Sequence, residues 1–193
     1  MQSVEFYRPL PYTVEYDGEI YKLTPAYDNV LSMFEDIKGL DPAGQAEIML
    51  YYLMETPVYN AGVLHEVNKT LFPPTKATKG ARVFDFIQDG ALIYAAFRQA
   101  YNIDLVEEQG RLHWWKFQAL MNGLPSNTKF AEVINIRTRP IPKPTKYNQE
   151  ERAALARLKQ QFRLEISQEE REANMQDGLR KLAMALEARA KHG

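Results

Sequence analysis

Apolar positions along this chain change their period several times, and each change marks an element. Between Tyr12 and Leu23, "YTVEY" and "EIYKL" alternate around Asp17-Gly18, a dipeptide suited to a type I′ turn because both turn positions need positive φ. The expected hairpin puts Tyr12, Val14, Tyr16, Tyr21 and Leu23 on one face. Two strands are marginal alone, so that face needs helices to pack on. Thr24-Pro25 supplies a cap and a first-turn proline and Gly39 a stop, which predicts a helix over about 25–38. Asp41-Pro42 repeats the start for a second helix running to about Thr56. "NAGVLHEVNKTLF" predicts a third, ending before Pro73-Pro74.

Next, "PPTKATKGARV" has basic residues between proline and glycine and no apolar run, so it reads as an exposed linker dividing the chain. Beyond it, "DFIQDGALIYAAFRQAYN" carries Phe86, Ile93, Tyr94, Phe97 and Tyr101 on one helical stripe. A short "IDL" precedes "RLHWWKFQALMNGLP", a helix ended by Asn122-Gly123. Pro125, Ser126 and Asn127 can start another, "TKFAEVINIR". In "RTRPIPKPTKY", Pro140, Pro142 and Pro144 force extended backbone, so helix cannot cross it. After Asn148 charges are frequent and Phe162 is the only aromatic residue. Leu155, Leu158 and Phe162 form one short apolar stripe; Met175, Leu179, Leu182 and Leu186 form another, with a capping box at Ser167 to Glu170 between them.

The pattern predicts a mainly α fold: a helical module preceded by an N-terminal β-hairpin, with a helical C-terminal appendage after a proline-rich hinge. The expected divisions are 1–76 for the hairpin and first helices, 77–138 for the central helical module, 139–147 for the hinge and 148–193 for the charged C-terminal region.

On a helical wheel of about 100° per residue, the stretch from Arg111 to Leu124 gathers Arg111, Gln118 and Asn122 into one polar strip. Trp114 and Trp115 straddle it, and the rest is apolar except His113 and Lys116, which fall opposite the water. An unpaired buried ammonium is costly, so Lys116 must snorkel out or meet an acid. Asp89, on the preceding helix with Asp85, Ala96 and Ala100, is the expected partner. Phe86, Phe97, Trp114, Trp115 and Phe117 are the expected core of the module. A tryptophan pair can also bind a sugar, a base or a peptide, but buried packing is the commoner fate.

Composition narrows the functions. The chain has 193 residues, 45% hydrophobic and 11% aromatic, enough for a real core. Its formal charge of −1 creates no global field toward nucleic acid or anionic lipid. The absence of cysteine excludes disulfides, thiol nucleophiles and thiolate metal sites. Three scattered histidines make no metal-ligand pattern, and "GLDPAGQ" lacks the lysine and the preceding strand of a phosphate loop. No nucleophile or second carboxylate joins His113 and Lys116 at a recognisable spacing. The expectation is a protein without catalytic, cofactor or metal sites. "MQSVEFYRPLPYTVEYDG" shows no signal pattern and no window approaches a membrane span, so a soluble, non-secreted protein is expected. Arg137, Arg139, Lys143 and Lys146 could touch phosphates, or the segment could dock as a proline-rich ligand; a plain hinge has the same composition. The C-terminal stripes suit a partner helix, an oligomer seam or a solvated appendage.

"DFIQDGALIYAAFRQAYNIDL", "LHWWKFQALMNGL" and "TKFAEVINIR" together resemble the bacteriophage gene-product-fifteen family of tail assembly chaperones. The matching positions include Asp85, Phe86, Asp89, Leu92 to Phe97, Tyr101, Leu112 to Phe117, Gly123, Thr128 to Phe130 and Arg137. A weaker likeness in the hairpin and the helices after it extends the resemblance to about residues 8–165. The resemblance implies a non-enzymatic chaperone, encoded beside the tape measure protein, that keeps this partner soluble in the host cytoplasm while tail tube subunits polymerise around it. It would then be absent from the virion. A tail tube protein, a second tail assembly chaperone or another copy of the chain are further partners in this view, and membrane and nucleic acid are not. The candidate grip is Leu155, Leu158, Phe162, Met175, Leu179, Leu182 and Leu186. The alternative is a structural tail or connector component retained in the particle.

Overall fold

A computed structural model describes residues 7–73 and 82–165. Strands β1 (Thr13–Tyr16) and β2 (Glu19–Lys22) pair antiparallel with Val14 opposite Tyr21. Asp17 and Gly18 both take positive φ, 52° and 79°, so the right-twisting two-residue turn sets this register. Val14 and Leu23 are buried and Tyr21 is half-buried against the core, leaving the opposite face to water.

Among the described residues seven helices follow. Helix α1 (Tyr27–Asp36) begins later than the pattern predicts, and Thr24 does not cap it. Residues 23–26 instead run extended between two other segments. Leu23 bridges to Met54 and Ala26 to His113. The Thr24 amide donates to the Leu53 carbonyl at 2.8 Å, the Tyr27 amide to Leu112 at 2.9 Å, and the Trp114 amide to Pro25 at 2.7 Å. The Thr24 hydroxyl donates to the Tyr52 carbonyl. Tertiary backbone pairing thus takes the groups that a local cap would have used.

Helix α2 (Pro42–Leu53) starts where Asp41 Oδ1 accepts from the Gly44 amide at 2.8 Å, with proline at its first position. Helix α3 (Ala61–Leu71) starts where Asn60 Oδ1 accepts from Gly62 and Val63. The Tyr16 ring crosses Gly62 so closely that a Cβ there would clash with it, so glycine lets hairpin and helix approach. Helix α4 (Gly90–Tyr101) ends at Asn102, left-handed at φ 54°. Helices α5 (Trp114–Asn122) and α6 (Lys129–Thr138) follow, with Thr128 Oγ1 accepting from the Ala131 amide at the start of α6.

One core joins these elements, from Val14 and Leu23 through Val30, Leu53, Val63 and Ile93 to Phe130. At its centre Phe117 stacks on Tyr27, Phe97 and Trp114, with centroids 4.8, 5.2 and 5.7 Å away. The expected division at 76/77 is therefore not a boundary of packing: residues on both sides of it share this core. The chain divides into units Met1–Thr138 and Arg139–Gly193.

The wheel for α5 needs correction. It counted Arg111 to His113 as helical, but His113 is the N-cap and the helix starts at Trp114. Trp114 and Phe117 are buried and Trp115 is half-buried, its indole N–H donating to the Leu71 carbonyl at 3.0 Å. Gln118 is half-buried, while Lys116, Ala119 and Asn122 are exposed. Lys116 lies on the wet side and has no need of a buried acid.

In the second unit, Asn148 accepts from the Thr145 amide and donates to the Lys143 carbonyl, tying the proline segment to the start of helix α7 (Gln149–Gln161). Arg139 pairs with Glu151 at 3.1 Å. Leu155 is buried, Phe162 half-buried and Leu158 exposed. Met175, Leu179, Leu182, Leu186 and the capping box lie outside the described residues.

Candidate functional site

The first unit carries an open groove of about 360 Å³. Helix α1 lines it with Leu31, Phe34, Glu35 and Asp36, α2 with Tyr52, and the turn before α4 with Phe86 and Ile87. Phe34 is 36% exposed and Ile87 64% exposed, so large apolar side chains meet water here. The wall beneath is built of packed aromatic rings. Phe34 packs against Trp114 and Phe72, and Phe86 packs against Trp114, Phe84 and Phe117, all with centroids between 5.1 and 6.4 Å apart. The Trp114 indole N–H is buried and finds no acceptor among the described residues.

The turn that presents Ile87 is built by Asp85, whose Oδ1 accepts from the Ile87 and Gln88 amides at 2.9 and 2.8 Å. Burial pushes the Asp85 carboxyl up, but these two amides and Arg82 outweigh it, so it ionises below the ordinary carboxylate range. On the opposite wall the Tyr52 hydroxyl donates to Asp36 Oδ2 at 2.6 Å, which raises the tyrosine's pKa.

Asp89 anchors this turn from inside, and its partner is Arg137, not Lys116. The Arg137 guanidinium donates to both Asp89 oxygens, at 2.6 and 2.8 Å, and to the Val83 carbonyl at 3.2 Å. Asp89 Oδ2 also accepts from the Asp85 amide. The side chains are only 9% and 2% exposed. The planar fork of arginine fits this bidentate geometry as a lysine would not. In the sequence Arg137 stands among the basic residues before the hinge. The missed signal was its spacing: Phe130, Val133 and Arg137 stand at i, i+3 and i+7, an inward stripe. With Arg137 inside and Arg139 paired, the expected basic patch keeps Lys143 and Lys146 exposed.

His113 is another buried polar residue, 1% exposed. Its Nδ1 accepts from the Trp115 amide at 3.0 Å, so Nε2 carries the proton that meets the Pro11 carbonyl at 3.2 Å. Burial pushes its pKa down; the Pro11 carbonyl opposes this and Lys116 adds to it. Both ring nitrogens are occupied structurally, as a helix cap and a tether for the chain before β1. His65 is exposed on α3. Among the described residues no group of three or more histidines and carboxylates could hold a metal, and no helix is long and apolar enough to cross a membrane.

The aspartate-built turn and the Asp89–Arg137 anchor are formed by the segments 82–101 and 128–137, and the groove adds α1 and Tyr52 of α2 to that turn. Neither the curated proteins nor the solved structures provide a match to the chain. Residues 6–164 match the family described as Bacteriophage Gp15 protein, a span that includes every helix and strand from β1 to α7. The chain belongs to this bacteriophage family.

Proposed function

We propose that the chain is a non-enzymatic tail assembly chaperone that holds the tape measure protein soluble in the host cytoplasm until tail tube subunits enclose it. The observation that carries this reading is the exposed apolar groove: Leu31, Phe34, Phe86 and Ile87 form a preformed wall into which a helix can lay an apolar stripe. A long helical partner exposes such stripes along its length until the tube forms, and covering them prevents aggregation. Leu158 and the C-terminal leucines supply further contact in this scheme, and Leu155, being buried, does not.

The test is copurification. Tagged chain should bring down the tape measure protein of the same phage, and an Ile87→Glu variant, altered only at an exposed side chain, should lose most of it. Mass spectrometry of purified virions should find the chain absent. Its presence at stoichiometric copy number would assign it instead to the finished tail.

A further inference from the structure

The groove has a sign as well as an apolar wall. Of the side chains that line it, the charged ones are Glu35 and Asp36, both acidic. Glu35 already pairs with Lys38 at 2.6 Å. Asp36 is exposed and accepts from the Tyr52 hydroxyl, and no cation of the described residues lies within ion-pair distance of it. That hydrogen bond holds one carboxylate oxygen at the groove wall, and no hydrogen bond from the described residues takes the other. A purely apolar occupant would strip water from this carboxylate and give nothing in return, a net cost to binding. An occupant with a cation at that edge converts the same dehydration into a charge-assisted hydrogen bond.

We infer that the groove selects amphipathic helices whose apolar stripe is flanked by lysine or arginine, the basic group meeting Asp36. This rests on the chaperone reading for the place of the site and adds which segments of a partner it takes. An i, i+4 pair of large apolar residues would occupy the space between Phe34 and Ile87. A basic residue one turn away then reaches the Asp36 side. Selection by charge would give the chaperone a preference among many apolar stretches, because an acidic-flanked helix is repelled by the same edge.

The test uses the full chain and two synthetic tryptophan-free helical peptides with the same leucine stripe, one flanked by lysine and one by glutamate. Intrinsic tryptophan fluorescence reads binding, since Trp114 touches both Phe34 and Phe86. The lysine peptide should bind about tenfold tighter, the equivalent of one charge-assisted contact. Asp36→Asn keeps an acceptor for the Tyr52 hydroxyl and should bring the two affinities together, and Ile87→Glu should weaken the lysine peptide's binding strongly. Equal affinities in the native chain, or a preference that survives Asp36→Asn, overturn the charge selection. If those equal affinities are both lost in Ile87→Glu, the apolar groove stands while its selectivity falls. Binding of neither peptide overturns the inference too, and copurification with the tape measure protein still judges the chaperone reading separately. A dimer that Ile87→Glu converts to monomer would make a second copy the occupant and also overturn it.

Discussion

Arg137 lies within hydrogen-bond distance of both oxygens of a carboxylate that is 2% exposed, and this sets the cost of changing either residue. Removing one partner leaves an uncompensated buried charge. Arg137→Leu or Asp89→Leu alone should therefore cost about 3–5 kcal/mol in urea unfolding, while the double variant should cost less than either single one. A double variant no more stable than the singles would deny the coupling. Lys116→Met, on the exposed side of α5, should fall within about 0.5 kcal/mol of the native chain. His113 gives a pH dependence. Its folded pKa is depressed, so between the folded value and about 6.5 the unfolded chain holds more protons than the folded one. Its stabilising contribution is complete above that pH and is lost as pH falls toward the folded value. His113→Asn, which retains a capping acceptor, should flatten the slope on the acid side of neutrality. Tyr27 acts at the other end: burial pushes its pKa up to about 12, so its contribution is full below pH 10 and is lost as pH rises toward 12. Residues such as these were only partly legible. The sequence marked Asp89, His113 and Lys116 as unusual, but partner choice depends on which helix faces which, and α4 meets α6 at Asp89.

Elements were more legible where their signals are local. Asp41-Pro42 and Asn60 start α2 and α3 because a side-chain oxygen there reaches an amide two or three residues on, with no help from the rest of the fold. Asp41→Ala or Asn60→Ala should each cost about 1 kcal/mol in thermal or urea unfolding, and Asp41→Asn should cost less because it keeps the acceptor. The hairpin is local in the same sense, since its register follows from a two-residue turn. Helix α1 was misplaced for the opposite reason. Its start is set by backbone pairing of residues 23–27 with Leu53, His113 and Leu112, contacts distant in sequence that outweigh the Thr24-Pro25 signal. The same crossing explains α5: once Trp114 donates to Pro25 and His113 caps the helix, its first turn cannot include Arg111.

At the scale of the molecule, the hairpin, α1 to α3 and α4 to α6 enclose one core around Phe117, and the groove is a product of that closure. Leu31, Phe34 and Asp36 come from before the linker, Phe86 and Ile87 from after it, and Trp114 supports both sides. Sequence reading treated these halves as separate and placed the grip in the C-terminal stripes. It had no means of bringing α1 against the turn before α4, because periodicity reports which face of a helix is apolar and not which neighbour leaves part of it open. Family membership was legible in the segments 85–137 themselves, whose aromatic and polar positions build the centre of the core and the Asp89–Arg137 pair. The measurement that tests the chaperone account most directly is the soluble fraction of the tape measure protein when it is co-expressed with this chain. The account predicts that the native chain keeps most of the partner in solution and that Ile87→Glu, folded to the same stability, returns it to the pellet. A partner that stays insoluble beside the native chain, or stays equally soluble beside Ile87→Glu, would contradict the role assigned to the groove.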